Sequence, residues 1–225
     1  CHSEPLGEES HEITPQNDVN LYLVKIKNKI LPNDEIEIFY KETNSERAIK
    51  NILQEGYRLA ILRYAQTYDK YYRAMMNEKG MIGELISTFR YVLIMHKNSP
   101  LAQIKNISYS DLCNLIEIQH ADPYVPSLPV SEVKKEELQS QSKRRIFVFE
   151  RASQFELLTQ NPACFMWVSP IPQELLDRYQ LIQRSCAESK RIYQDVLIYR
   201  KDSELSDLER IFIDELKKCK PMPVV

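Results

Sequence analysis

The sequence predicts an α+β protein that is predominantly α-helical: an N-terminal β-hairpin, a helical core, a short second strand pair and a C-terminal helical hairpin. Three observations predict it. Glycine, the residue of positive-φ turns and close backbone approach, occurs only four times in 225 residues, and none follows Gly83. From Ala48 to Met76, apolar residues recur at three- and four-residue spacing, the period of an amphipathic helix. Two short alternating segments near the start carry the period of strands.

Residues 1–18 are polar and acidic, with Pro5 and Pro15, and are expected to form a flexible tail. In residues 20–31, Tyr22, Val24, Ile26 and Ile30 fall on one face and Lys25, Lys27 and Lys29 on the other. Ile36, Ile38 and Tyr40 then alternate with Glu35, Glu37 and Lys41. Pro32-Asn33-Asp34 between them is turn chemistry, so the two segments read as a hairpin. Thr43 with Glu46 has the spacing of a capping box. Behind it runs the stripe Ala48, Ile49, Ile52, Leu53, Gly56, Ala60, Ile61, Tyr64, Ala65, Tyr68, Tyr71, Tyr72, Met75 and Met76, expected as one long helix, bent or broken near Gly56. Ile82, Leu85, Ile86, Phe89, Val92, Leu93 and His96 suggest a second helix over 81–97, ended by Asn98-Ser99-Pro100. A short third helix is expected from about Ser108, with His120 near its end.

Pro123, Pro126 and Pro129 mark the best internal boundary. The expected organisation is therefore a tail over 1–18, a hairpin with helical core over 19–122, a loop and charged linker over 123–145, and strands plus a C-terminal helical hairpin over 146–225. Ile146–Phe149 and Cys164–Val168 are apolar runs that read as a strand pair. Pro172 suits the first turn of a helix that continues to about Arg200. Ser206 with Glu209 forms a capping box for a final helix.

Charge and cysteine usage exclude several classes of function. The formal charge is −2, without the concentrated Lys and Arg that phosphate neutralisation requires, so no DNA partner is expected. The cysteines (Cys1, Cys113, Cys164, Cys186 and Cys219) are scattered without a CxxC pair, as expected of free thiols in a reducing cytoplasm. The start at Cys1 rather than Met is expected of a processed or excised piece. With no phosphate-cradling glycine loop, no clustered metal ligands and no recognisable triad, no cofactor, metal or catalytic residue is assigned.

The unusual cluster is aromatic. Tyr57, Tyr64, Tyr68, Tyr71 and Tyr72 are interleaved with Arg58, Arg63, Lys70 and Arg73. Tyrosine and arginine are favoured interface anchors. Tyr64, Tyr68 and Tyr71 fit the buried stripe, whereas Tyr57, Tyr72 and Arg73 are expected at its exposed edge, where they would bind a protein partner. The Lys25, Lys27 and Lys29 face could meet an acidic partner or anionic lipid. The expected function is thus a non-enzymatic protein-binding or scaffolding module, with peripheral binding of acidic membrane lipid as a third reading.

The alternative comes from a resemblance. Ile38-Phe39-Tyr40-Lys41-Glu42-Thr43, followed by Ile52-Leu53-Gln54-Glu55-Gly56-Tyr57, is similar to an early segment of some ADP-ribosyltransferases, in which a strand ending in Tyr-His-Gly-Thr leads to a helix closing on Ile-Leu-x-x-Gly-Phe. Here Lys41 and Glu42 replace the His and Gly that contact NAD. The resemblance implies a transferase-like enzyme, intact or decayed.

Overall fold

The computed structural model describes residues 38–121, 142–149 and 151–218. The expected tail, most of the expected hairpin and the proline-containing loop lie outside the described residues. The first helix, α1 (Ser45–Gln54), begins where the Asn44 side chain accepts a hydrogen bond from the Arg47 amide at 2.9 Å, one residue past the expected Thr43 cap. Ala48, Ile49 and Ile52 form its buried face. The helix ends at Gln54, and Gly56 adopts φ +77°, a conformation that L side chains resist. The chain then runs extended as β1 (Leu59–Ala65), turns through a 3-10 segment at Gln66–Tyr68 and re-enters a helix, α2 (Asp69–Glu78). The single stripe read from Ala48 to Met76 is therefore three elements. A short apolar run fits helix and buried strand equally well by period, and tertiary pairing decides here.

The same competition overturns the expected helix over 81–97. That segment forms β2 (Met81–Arg90) and β3 (Val92–His96), joined through Tyr91. Leu93, Ile94 and Met95 are all fully buried, so β3 is covered on both faces and shows no alternation. The expected third helix is a 3-10 turn at Tyr109–Leu112, with Ser108 and Asp111 in a capping box, followed by β4 (Ile116–His120). Next come β5 (Arg144–Val148), α3 (Arg151–Gln160) and β6 (Cys164–Val168). Strands thus form where the two later apolar runs suggested them, but β4 lies between β5 and β6. Beyond Pro172, α4 covers only Gln173–Arg178. The rest of the expected helix is β7 (Leu181–Arg184) and β8 (Ile192–Arg200). The last helix, α5 (Asp207–Lys218), carries the reciprocal cap bonds of Ser206 and Glu209, at 2.7 and 3.3 Å. The described residues are about 33% strand and 36% helix, so the predominantly helical class is corrected to mixed α/β.

The strands build two sheets. The first has the order β1-β8-β2, with β8 antiparallel to both neighbours. One face packs Leu62, Val196 and Ile198 against Ile49 and Ile52 of α1 and Tyr72 and Met76 of α2. The other packs Leu197 against Ile213 and Leu216 of α5. The second sheet has the order β5-β4-β6-β3-β7, with β4 parallel to β5 and β6 and β3 antiparallel to β6 and β7. Its faces are covered by the 3-10 turns, through Leu101 and Leu112, and by α3 and α4, through Leu158 and Leu176. Each sheet thus has its own apolar covering on both sides, the layering expected of α/β architecture.

The helix α5 is also held by charge. Arg58 donates to Glu209 at 2.8 Å, and Lys217 lies 2.6 Å from Glu84 of β2. Lys217, then the Tyr199 hydroxyl, hold the Glu84 carboxyl below its usual range. Tyr199 is in turn pushed up to about 12, first by that hydrogen bond.

Two outcomes follow for stability. The space around the Gly56 Cα is open, so Gly56→Ala is strained by its positive φ alone and should cost about 1 kcal/mol in urea unfolding, where a continuous helix would have gained. For Glu84, the carboxylate is favoured in the folded state. Its stabilisation is therefore fully present above its ordinary titration range and is lost as pH falls through the depressed folded value. Glu84→Gln should lower the melting temperature at neutral pH and converge on the wild type as pH falls, which flattens the acid limb of the profile; an unaltered acid limb would remove Glu84 from this account.

Candidate functional site at the junction of the two sheets

The chain passes between the sheets twice, at Tyr91 from β2 into β3 and through residues 185–191 from β7 into β8. The two passages meet. Tyr91 stacks on Tyr193 with ring centroids 4.0 Å apart and planes at 17°. Phe89 lies 5.8 Å from Tyr91 and 6.2 Å from Tyr193, and Ala65 and Tyr68 complete the cluster. Aromatic packing of this kind adds about 0.5–1.5 kcal/mol per pair beyond area burial. The two backbone crossings between the sheets are thus braced by stacked rings.

Beside the rings lies a buried polar group set by the sheet register. Arg63 and Asp195 are partners in the β1/β8 ladder, and Ser87 faces Asp195 across β2/β8. A register shift between Leu85 and Ser87, a bulge, re-aims the β2 side chains at this point. Arg63 donates through Nε and Nη2 to the two carboxylate oxygens of Asp195, at 2.9 and 3.1 Å. Its guanidinium carbon stands 4.8 Å from the Phe89 ring centroid, a cation–π contact. Asp195 is 1% exposed. Burial opposes the charge on Arg63, but Asp195 and Tyr91 outweigh it and raise the guanidinium above its ordinary value. The remaining fork nitrogen, Nη1, reaches out of the first sheet to Ser169 Oγ at 3.3 Å. Ser169 directly follows β6. The β3/β6 ladder pairs Val92 with Val168, so the next step of register sets Ser169 beside Tyr91.

A second polar group lies on the same first sheet. Asp69, in the first turn of α2, accepts from Arg73 Nε at 2.6 Å, from Tyr64 at 3.3 Å and from Gln194. Burial opposes ionisation, but Arg73 and Gln194 hold this carboxyl below its usual range.

The expected binding residues fall differently from their sequence reading. Tyr72 is 1% exposed and stacks on Tyr64 at 4.0 Å. It faces the core because it belongs to α2 and not to the far side of a longer helix. Tyr57 is half-buried against the first core and has Lys41 5.9 Å from its ring centroid. Arg73 is exposed but tied to Asp69 one turn back. Lys25, Lys27 and Lys29 lie outside the described residues. The structure brings together instead Arg63, Asp195, Ser87 and Ser169, none of them assigned a role from sequence. The available signal was a charged residue of each sign, Arg63 and Asp195, standing alone inside an apolar strand-length run. Among the described residues, no His, Cys, Asp and Glu group could hold a metal ion, and no helix is long and apolar enough to cross a membrane.

No protein-family model matches the chain, and no curated protein matches it. Solved structures do. The effector-binding domain of QuiR, in complex with shikimate, superposes with a TM-score of 0.57 at 18% identity, over 93% of this chain and 90% of that one. The regulatory domain of MetR, a LysR family regulator from N. meningitidis, gives 0.58 at 13% identity, over 89% and 86%. HinK, a LysR family transcriptional regulator from Pseudomonas aeruginosa, gives 0.58 at 18% identity, over 89% of this chain and 65% of that one. The chain has the fold of LysR-type effector-binding domains. A fold match of this extent overturns the helical scaffold or protein-binding module, the ADP-ribosyltransferase-like enzyme and the peripheral lipid binder. Of the segment that suggested a transferase, residues 38–44 are not a strand, and the helix α1 and the turn at Gly56 lead into β1 of another fold. The expectation of a protein or lipid partner and no DNA is likewise corrected, since the neighbours belong to transcriptional regulators.

The Arg63–Asp195 pair makes an energetic claim. Removing one member of a buried pair leaves the other charge uncompensated, which typically costs about 3–5 kcal/mol. Arg63→Ala should destabilise the chain by about that much, and Arg63→Met with Asp195→Leu should recover most of it. Chemical denaturation of Arg63→Met, Asp195→Leu and the double variant completes the cycle; a double-variant loss equal to the sum of the two single losses would mean that the pair carries no coupling.

Proposed function

We propose that this chain is a small-molecule-sensing domain whose effector binds between the two sheets, against the junction formed by Arg63, Ser169 and the Tyr91–Tyr193 stack. One observation carries the reading. Two separately covered sheets are joined by two adjacent crossings, and the solved structure that matches 93% of the chain is an effector-binding domain in complex with shikimate. Clefts between such halves are where α/β folds hold ligands. The chemistry of the wall narrows the class of effector. Arg63 is neutralised by Asp195, so it offers an oriented N–H edge without net positive charge. Ser169 offers a hydroxyl that donates or accepts, and the tyrosine stack offers an apolar platform. A small polar ring or chain bearing hydroxyl or carboxylate oxygens fits these groups. The reading extends to the whole protein: the domain would belong to a cytoplasmic transcriptional regulator, and the DNA contact would be made by another part of it.

Thermal-shift measurements test the reading with shikimate and a panel of small hydroxy- and oxo-carboxylates. A ligand at a hundred times its Kd adds about 2.7 kcal/mol, or about 2–4 °C per kcal/mol for a domain of this size. At least one compound should give such a shift, and Ser169→Trp, which sets a bulky ring beside Arg63, should abolish it. A panel without any shift, or a shift untouched by Ser169→Trp, overturns the proposal at this site.

A further inference from the structure

We infer that the Arg63–Ser169 hydrogen bond is a latch that sets the resting angle between the two sheets, and that the effector acts on it. The use of the latch rests on the sensor reading above; its existence does not. Arg63 is fixed to the first sheet by both oxygens of Asp195 and by the face of Phe89. It cannot follow the second sheet when that sheet rotates. Ser169 belongs wholly to the second sheet, one residue beyond β6. The bond between them therefore spans the junction, beside the Tyr91 crossing about which rotation would occur. Its 3.3 Å length and its neutral acceptor make it weaker than the Arg63–Asp195 bonds on the same guanidinium. Under rotation the link to Ser169 yields first and the anchor stays. The junction thus has a rigid side, a breakable bond and a pivot, the parts a two-state element needs. An effector oxygen placed between the sheets would compete for Arg63 Nη1 or bridge it to Ser169, and either changes which angle is favoured.

The test needs no effector. Hydrogen exchange is compared for the unliganded wild-type chain, Ser169→Ala and Ser169→Thr, with the fluorescence of Trp167 as a second readout. Trp167 is the only tryptophan in the sequence and lies two residues from Ser169. In Ser169→Ala, amides at the crossings, residues 90–92 and 185–192, should exchange roughly tenfold faster, the scale of one lost hydrogen bond. Amides at the sheet centres, Leu62, Val196, Ile94 and Phe165, should not change. Ser169→Thr keeps the hydroxyl and should restore both the slow exchange and the wild-type emission. Unchanged exchange at the crossings overturns the latch. So does a uniform rise over the whole chain, which would make Ser169 an ordinary contributor to stability. Faster crossings together with an unresponsive ligand panel would leave the latch standing and remove the sensor reading. A responsive panel with unchanged crossings would do the reverse.

Discussion

The position of β8 constrains everything else. It is the central strand of the first sheet, hydrogen-bonded on both edges, and it is also the last strand among the described residues. Neither β1 nor β2 has its partner until the chain has travelled through the whole second sheet and returned. The seven pairs of β1 with β8 run from Leu59↔Tyr199 to Ala65↔Tyr193, contacts of great sequence separation whose loop-closure entropy must be met before they stabilise anything. Val196, Leu197 and Ile198 are correspondingly buried on both faces. The first sheet has no small local nucleus to complete on its own, so its stability is tied to the second sheet bringing β8 home.

This constraint also explains why charge is tolerated at the junction. Arg63, Asp195 and Ser87 are neighbours across three strands, and only the β1-β8-β2 order places them so. A buried ion pair is at best weakly stabilising against an apolar replacement. It does, however, penalise any slip of register, since a one-residue shift would put Asp195 opposite an apolar side chain. In a strand buried on both faces, as β8 is from Tyr193 to Ile198, hydrophobic alternation specifies register poorly, and the pair supplies what the pattern lacks.

How far the fold could be read from the sequence follows from the same physics. Local chemistry was legible: the cap at Ser206 and Glu209, the helix start at Pro172, and the strands at Ile146 and Cys164 depend on nearest neighbours. Long-range pairing was not. Leu59–Ala65 and Met81–His96 carry apolar residues at spacings that fit a helix, and they become strands because β8, β6 and β7 lie alongside. The scarcity of glycine was weighed as evidence for helices, yet the fold turns its strands with Gly56, Gly80 and Gln180 and otherwise without positive φ among the described residues. The tyrosine–arginine reading failed for the same reason as the helix: once Tyr64 is on β1 and Tyr72 on α2, the two rings face each other across a core. Arg63 was seen only as one cation among several, because its partner lies 132 positions away.

The register at the end of β2 carries an architectural implication. Arg90 pairs with Ile192, so the two ends of the second unit, residues 91–191, leave and rejoin the first sheet side by side. Topologically, β2 and β8 are the arms of one hairpin, and the five-stranded sheet with its helices is cargo carried in the place of its turn. A unit hung in this way can be exchanged, lengthened or circularly permuted without disturbing the platform that bears it, provided its two ends remain one strand spacing apart. The tight coupling of the two halves in folding and their independence in composition are therefore two sides of a single arrangement: the platform dictates where the ends of the insert must lie and leaves its interior free to diverge.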